Sequence, residues 1–212
     1  MPAKAQTLDI SRFYKPSEKQ KQFHSSKAKY RLYGGAKGGG KTAALVWEAI
    51  STCLRVPKCN VLILRRTFPQ LEAGALSYFI KFVPDHIYGG RKNFNQSKYI
   101  VRFPNGSTLW FRPCQQENDM YDYQGHEYVQ ILIDESTEFT YKMFDFFRKQ
   151  LRYTYAKNDI YGTPIVPNVC LATNPGEIGH KWHKCLFIDH VPFDEMDAAA
   201  VAKYDPSAAA WR

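Results

Sequence analysis

The stretch Tyr33–Thr42 reads YGGAKGGGKT and holds five glycines within ten residues. Glycine loses more backbone freedom on folding than any other residue, so this cluster predicts conformations or close approaches that other residues exclude. Residues 35–42 match the pattern G-x-x-x-x-G-K-[ST] of the phosphate-binding P-loop. A short strand candidate, Tyr30–Gly34, precedes the pattern, and apolar residues at helical spacing follow it from Lys41 to Pro57. A strand, a glycine loop and a helix in this order are the context that the P-loop requires.

In such a loop, backbone N–H groups turn inward and cradle phosphate oxygens, and the following helix adds its positive N-terminal end. We expect the Lys41 ammonium to reach the β- and γ-phosphates of ATP and the Thr42 hydroxyl to ligate Mg²⁺. Lys37 is placed to neutralise charge that develops on the γ-phosphoryl group, the alternative being a solvated lysine on an exposed loop. The loop therefore predicts a set of nucleotide-binding residues: Gly35, Ala36, Lys37, Gly38, Gly39, Gly40, Lys41 and Thr42.

An acid pair follows a second apolar strand candidate, EYVQILIDES, in which Asp134 and Glu135 come directly after three large apolar residues. A P-loop enzyme needs a carboxylate at the end of a buried strand to hold the Mg²⁺ shell, and we assign this role to Asp134. Glu135 is then placed to orient and deprotonate the water that attacks the γ-phosphate. An adjacent acid pair favours hydrolysis over phosphoryl transfer to a small acceptor, because a kinase has to exclude water.

A third apolar strand candidate lies in PNVCLATNPG, Pro167–Gly176, and ends in a polar turn. Thr173 and Asn174 could hydrogen-bond the attacking water or the γ-phosphate and pass that state to the following segment. A plain turn is the alternative, because Asn, Pro and Gly are common in turns. Beside a P-loop and an acid pair, we favour the functional interpretation.

Strand candidates alternate with helix candidates, which predicts an α/β fold with a mainly parallel central sheet and helices on both faces. Asn60–Thr67 is a continuous apolar run, typical of a strand buried on both faces. Residues 70–84 read as one helix closed by a proline, and Tyr99–Pro113 predicts a β-hairpin. We predict three parts: an N-terminal arm at 1–28, a P-loop core at 29–190 and a C-terminal tail or linker at 191–212.

Charge and cysteine content narrow the class of protein. The chain has 212 residues, with 29 basic against 20 acidic side chains and a formal charge of +9, which favours a polyanionic partner. Five cysteines without a CxxC pair indicate a reducing, intracellular setting and argue against a zinc site or a disulfide framework. We expect no membrane span and no signal peptide, because no sufficiently long apolar run is present.

Four stretches, taken in order, resemble the ATPase domain of the large terminase subunit of tailed double-stranded DNA bacteriophages. EKQKQFHSSKAKYRLYGGAKGGGKT is similar to the family's adenine-recognising glutamine motif and its variant P-loop. In it Gln20 stands three residues before Phe23, with Gln22 as a competing candidate. The other three are similar to the strand–helix segment after the P-loop helix, the approach to Walker B and the coupling motif: VLILRRTFPQLE, YQGHEYVQILIDES and LATNPGEIGHKWHKCLFID.

The resemblance implies a P-loop NTPase of the additional-strand, catalytic-glutamate type that couples hydrolysis of ATP with Mg²⁺ to translocation of double-stranded DNA. It implies a pentameric ring on the portal vertex of a procapsid in the host cytoplasm, with a small terminase subunit as partner. Family members normally continue into a nuclease domain, and we expect no nuclease activity from these 212 residues. Some members supply an arginine in trans shortly before Walker B, but no Arg or Lys lies between Asp119 and Glu127.

Rival interpretations remain open at the level of sequence. The first is a helicase or recombinase-like DNA-dependent ATPase; the others are a small-molecule kinase and a non-catalytic nucleotide-binding module. Arg65 and Arg66 follow a buried strand and could contact nucleotide or a neighbouring subunit, or pair with local carboxylates. His180 and His183 lack a third metal ligand nearby, so a metal site there is not predicted.

Overall fold

The computed structural model describes residues 10–35 and 38–211. Ala36 and Lys37 lie outside the described residues, so their predicted phosphate contacts stay predictions. Eight strands are found in the described part: β1 (Tyr30–Gly34), β2 (Asn60–Arg65), β3 (Phe94–Asn95), β4 (Ile100–Arg102), β5 (Thr108–Pro113), β6 (Gln130–Asp134), β7 (Asn168–Thr173) and β8 (Ala209–Trp211).

The helices alternate with the strands over most of the described chain. They are α1 (Glu18–Ser25), α2 (Lys41–Arg55), α3 (Phe68–Leu71), α4 (Ser77–Phe82), α5 (Tyr141–Lys149), α6 (His180–Lys184) and α7 (Ala198–Ala202). Two π-helical turns, Glu72–Leu76 and Cys185–Asp189, continue α3 into α4 and extend α6. A short 3-10 turn, Ser136–Glu138, follows the acid pair. No helix within residues 10–35 and 38–211 is long and apolar enough to cross a bilayer.

All eight strands form one sheet in the order β3-β4-β5-β2-β6-β7-β1-β8. From β5 to β8 the neighbours run parallel, and β3, β4 and β5 form an antiparallel edge that contains the predicted hairpin. Strand β7 lies between the P-loop strand β1 and the acid strand β6. This extra strand confirms the predicted additional-strand topology. Because parallel strands end at the same edge, it also brings the three predicted motifs together.

Successive apolar side chains of the central strands point to opposite faces of the sheet, and helices cover both faces. Val61 and Ile63 of β2 belong to one hydrophobic cluster with α2, whereas Leu62 and Leu64 belong to the other with α5 and α6. These four side chains are fully buried. Burying each such side chain contributes about 1.5–3 kcal/mol, so the two clusters hold the sheet and the strand ends rigidly in place.

The predicted helix at residues 70–84 is interrupted. Gly74 has φ −97° and ψ −108°, outside the helical region, and a π-helical turn surrounds it. A Cβ atom at Gly74 would lie 3.7 Å from Asp134 Oδ2, so this break brings the backbone close to the acid pair. The apolar spacing continues on both sides of the break, which is why periodicity alone predicts one helix.

The N-terminal arm contains α1, which packs directly against the core. Ser17 caps the helix with a reciprocal capping box to Gln20, and Gln20 and Phe23 are buried. At the far end of the arm, His24 Nδ1 lies 2.5 Å from Glu48 Oε2 of α2. Arg31 Nη2 of β1 donates to Glu48 Oε1 at 2.8 Å, and both side chains are at most 8% exposed. A buried charged network therefore fastens α1 to the sheet and to the P-loop helix.

The C-terminal tail also joins the sheet, because β8 pairs in parallel with β1 from Tyr30 to Leu32. The aromatic side chains of α5 pack into the core, and Phe144 and Phe147 are at most 2% exposed.

Candidate active site

The glycine loop connects β1 to α2 at the carboxyl edge of the sheet. Gly40 caps α2 with φ +66° and ψ +25°, a left-handed conformation that favours glycine. The Gln20 Nε2 amide donates to Gly40 O at 3.0 Å, and a Cβ at Gly40 would lie 2.6 Å from that nitrogen. Glycine is therefore favoured here by its conformation, and any side chain at this position would have to displace the Gln20 amide. Gln20, not the exposed Gln22, is the glutamine that contacts the loop.

Lys41 lies at the first turn of α2 and is 7% exposed. Its Nζ donates to Gly35 O and to Asn174 Oδ1, both at 2.9 Å. Burial lowers the pKa of Lys41, while the nearby Asp134 carboxylate opposes that shift. The predicted P-loop ammonium is thus held between the loop backbone and the end of β7.

Thr42 and Asp134, the two predicted magnesium ligands, are in direct contact. The Thr42 hydroxyl donates to Asp134 Oδ2 at 3.1 Å, and Asp134 is 3% exposed. Burial raises the pKa of Asp134, and the charge of Arg65 and the bond from Thr42 counteract it. A hydroxyl and a carboxylate side by side beside the phosphate loop are hard oxygen donors of the kind that Mg²⁺ takes, so the residues fit this cation.

Glu135 adopts a left-handed conformation, with φ +50° and ψ +54°. Its carboxylate accepts three hydrogen bonds from Asn174. The backbone N–H reaches Oε2 at 3.2 Å, and the side-chain Nδ2 reaches Oε1 at 2.9 Å and Oε2 at 3.1 Å. Since Asn174 Oδ1 also accepts from Lys41, a single side chain bridges the predicted phosphate-binding lysine and the predicted base.

Arg65 lies at the end of β2, on the side of the acid pair opposite to β7 and Asn174. Its Nη1 is 3.9 Å from Asp134 Oδ2 and 4.0 Å from Glu135 Oε1, and its side chain is 16% exposed. Among the described residues, Nε and Nη1 have no hydrogen-bond partner. Of the two interpretations left open by the sequence, the geometry favours pairing with local carboxylates. Arg66 points elsewhere and contacts Met143.

Thr173 faces the turn that follows the acid pair. Its hydroxyl lies 2.7 Å from Thr137 Oγ1 and donates to Asn174 O at 2.8 Å. A direct contact of Thr173 with water or phosphate stays a prediction. A residue that the sequence did not predict to take part in the site also reaches this turn, because His183 Nε2 lies 2.7 Å from Ser136 Oγ. In the sequence, His183 stands out only as one of two histidines three positions apart. That spacing carries no signal for a contact with Ser136.

The family profile of the phage terminase large subunit matches residues 27–205. No curated protein matches the chain significantly. Among solved structures, the large terminase of a thermophilic bacteriophage has 13% identity and a TM-score of 0.60, covering 82% of this chain and 43% of its own. The HK97 bacteriophage large terminase has 12% identity and a TM-score of 0.63, covering 95% and 41%.

The large terminase ATPase domain of Thermus phage P74-26 has 13% identity and a TM-score of 0.60, and the match covers 98% of this chain and 84% of that domain. The first of these three, the thermophilic bacteriophage terminase, has also been solved in complex with ADP and with ATP-gamma-S. The chain spans about two fifths of the length of that protein and of the HK97 protein. At these identities the structural matches show the fold, whereas the family profile covers most of the sequence. This chain belongs to the phage terminase large subunit family.

Proposed function

We propose that this chain binds and hydrolyses ATP with Mg²⁺ at the P-loop, and that hydrolysis drives translocation of double-stranded DNA into a procapsid. The observation that carries the proposal is the bridge made by Asn174 between Lys41 and Glu135. This one amide contacts both the ammonium group that we assign to the γ-phosphate and the carboxylate that we assign to the attacking water. Membership of the terminase family and the nucleotide complexes of the thermophilic bacteriophage terminase support the same chemistry.

In this proposal the residues divide the work of hydrolysis. Glu135 orients the attacking water and takes its proton, and Lys41 stabilises charge on the γ-phosphoryl oxygens. Thr42 and Asp134 hold Mg²⁺, which when bound offsets the negative charge of the phosphates. We assign adenine recognition to Gln20, whose amide contacts Gly40 O, and a second contact with the γ-phosphate to Lys37.

Coupling to motion begins at Asn174. When a γ-phosphate draws the Lys41 ammonium toward itself, Asn174 Oδ1 loses a charge-assisted hydrogen bond. The same amide holds the Glu135 carboxylate, so its reorientation reports the nucleotide state to the base and to the chain beyond β7. Thr173, bonded to Thr137, extends this contact to the turn after the acid pair.

The partners follow from the family and from charge. A formal charge of +9 suits a polyanionic track, because Lys and Arg release counterions from DNA phosphates. We propose that the chain works in a homo-oligomeric ring, a pentamer, on the portal vertex in the host cytoplasm, with a small terminase subunit. We propose residues 1–28 as the arm with the adenine-recognition motif, 29–190 as the ATPase core, and 191–212 as a C-terminal tail or the start of a linker.

The test is ATP turnover of the purified chain, alone, with double-stranded DNA, and with DNA plus procapsids that carry the portal. We expect weak turnover alone and stimulation by DNA with procapsids, accompanied by protection of the DNA from added nuclease. Lys41→Ala, which lacks the ammonium, should abolish both. Stimulation by single-stranded DNA with unwinding of a forked duplex would instead support the helicase or recombinase-like alternative. Absence of turnover under every condition would refute the proposed activity.

A further inference from the structure

The turn Ser136–Glu138, which directly follows Glu135, is fastened to the start of α6. Gly179 N donates to Thr137 O at 2.7 Å, and Trp182 Nε1 donates to Phe139 O at 3.0 Å. A Cβ at Gly179 would lie 2.5 Å from Phe139 O and 2.9 Å from Thr137 O, so the two backbones are in direct contact. The segment after β7 therefore packs directly against the turn that follows Glu135, the proposed base.

The side-chain bond between Ser136 and His183 lies at the centre of this contact. His183 Nδ1 is 2.8 Å from Gly179 O, and a carbonyl can only accept, so Nδ1 carries the proton. Nε2 is consequently the acceptor for the Ser136 hydroxyl at 2.7 Å. His183 is 3% exposed, and burial lowers its pKa to about 3, so Nε2 stays unprotonated and can accept the bond from Ser136. Ser136 is therefore the donor and His183 the acceptor, and both side chains are buried.

The bond matters because Glu135 is held in a strained conformation. A left-handed backbone costs a residue with a Cβ about 1–2 kcal/mol and persists only where the surroundings impose it. Upstream, β6 fixes Asp134 by its ladder with β7. Downstream, the turn is held by its bonds to α6, among which the bond from Ser136 to His183 is the one nearest to Glu135.

We propose that His183 is a positioning residue for ATP hydrolysis. By accepting from Ser136, it fixes the turn that sets the direction of the Glu135 carboxylate, and it makes α6 move with that turn. His183 acts through Ser136 and does not touch nucleotide. This inference rests on the proposed role of Glu135 as the base.

The test compares His183→Phe and Ser136→Ala with the wild type. His183→Phe keeps a flat ring next to Trp182 but removes the acceptor, and Ser136→Ala removes only the hydroxyl. We expect kcat to fall about tenfold to a hundredfold in both variants, because small misplacements of a reacting group cost rates of this order. The affinity for ATP-gamma-S should change less than about twofold, because the P-loop is untouched.

Rescue separates positioning from stability. His183→Gln offers an amide oxygen to Ser136, and Gly179 O keeps the backbone N–H of residue 183 at 3.2 Å, so kcat should recover to within about threefold of wild type. Phe187→Leu is the matched control, since Phe187 is 1% exposed beside His183 but has no bond to the turn. It should lower the unfolding temperature while keeping kcat. Lys181→Gln, on the exposed side of α6, should change neither.

Wild-type kcat in folded Ser136→Ala and His183→Phe would overturn the inference, and so would equal losses of kcat in His183→Phe, His183→Gln and Phe187→Leu. If His183→Phe fails to fold, Ser136→Ala alone decides. Glu135→Gln distinguishes a failure of the positioning role of His183 from a failure of Glu135 as the base. Loss of turnover in Glu135→Gln with wild-type turnover in the other variants refutes only the role of His183, whereas full turnover in Glu135→Gln refutes the assigned base itself.

Discussion

Replacing Glu48 by Gln removes the charge at the centre of the buried network that fastens α1. Burial raises the pKa of Glu48, but the Arg31 guanidinium and the hydrogen bond from His24 outweigh it and hold the pKa at about 2, against an ordinary 4.5. A difference of this size corresponds to about 3 kcal/mol at neutral pH. Removing the opposite charge from a buried Arg31 guanidinium costs about 3–5 kcal/mol, which agrees with this value. We therefore expect Glu48→Gln to lower the free energy of unfolding by about 3 kcal/mol.

The destabilisation caused by Glu48→Gln should become smaller at low pH. Because the pKa of Glu48 is depressed in the folded state, its contribution is complete above pH 4.5 and is lost as the pH falls toward 2. Urea unfolding followed by circular dichroism at pH 7, 5 and 3.5 should show the gap between wild type and Glu48→Gln narrowing below pH 4.5. The melting temperature at pH 7 should fall by roughly 6–12 °C.

A control for this measurement is Glu18→Gln, since Glu18 pairs with Lys21 on the exposed side of α1. Surface pairs contribute about 0–1 kcal/mol, so its unfolding curve should nearly overlay that of the wild type. A loss below about 1 kcal/mol in Glu48→Gln, or a gap that does not change with pH, would show that the Arg31 charge is not held by Glu48.

Three further substitutions test the site. Asn174→Ala should lower kcat at least about tenfold with a smaller change in KM, because it frees Glu135 and Lys41 together; a rise in KM alone would contradict the bridge. Gly40→Ala should weaken ATP-gamma-S binding about tenfold in a titration, because the left-handed backbone costs a residue with a Cβ about 1–2 kcal/mol; unchanged affinity would contradict this requirement. Gly179→Ala should lower the free energy of unfolding by about 1–3 kcal/mol by overpacking, whereas Ile178→Ala, at an exposed position, should not.

The parts of the fold with local chemical signatures were predictable from sequence. The P-loop, the helix from Lys41, the acid pair at the end of β6 and the hairpin can each be recognised from a few consecutive residues. Parallel pairing of β1, β7 and β6 then brings the P-loop and the acid pair to one edge of the sheet. Asn174 was predicted as a site residue from its turn, but its bridging contacts follow only from the strand order β6-β7-β1.

Long-range polar pairing was not predictable from sequence. Ser136 and His183 are 47 positions apart, and Arg31 and Glu48 are 17 apart on different elements. The sequence separation of neither pair distinguishes it from polar residues that lie apart on the surface. Both partners are buried only because the whole domain packs around them, and a local pattern does not show this. The break at Gly74 was missed for a related reason: the apolar period continues through it, and one glycine in a helical pattern signals only a weak preference.

In the proposed mechanism, Glu135 activates the water that attacks ATP held at the P-loop. Single-turnover rapid quench with Glu135→Gln and radiolabelled ATP tests it most directly, under the DNA and procapsid conditions that stimulate the wild type. We expect the variant to bind ATP with near wild-type affinity but to release phosphate at least about a thousandfold more slowly, because the substitution removes a base that also positions the water. Phosphate release at the wild-type rate would contradict it.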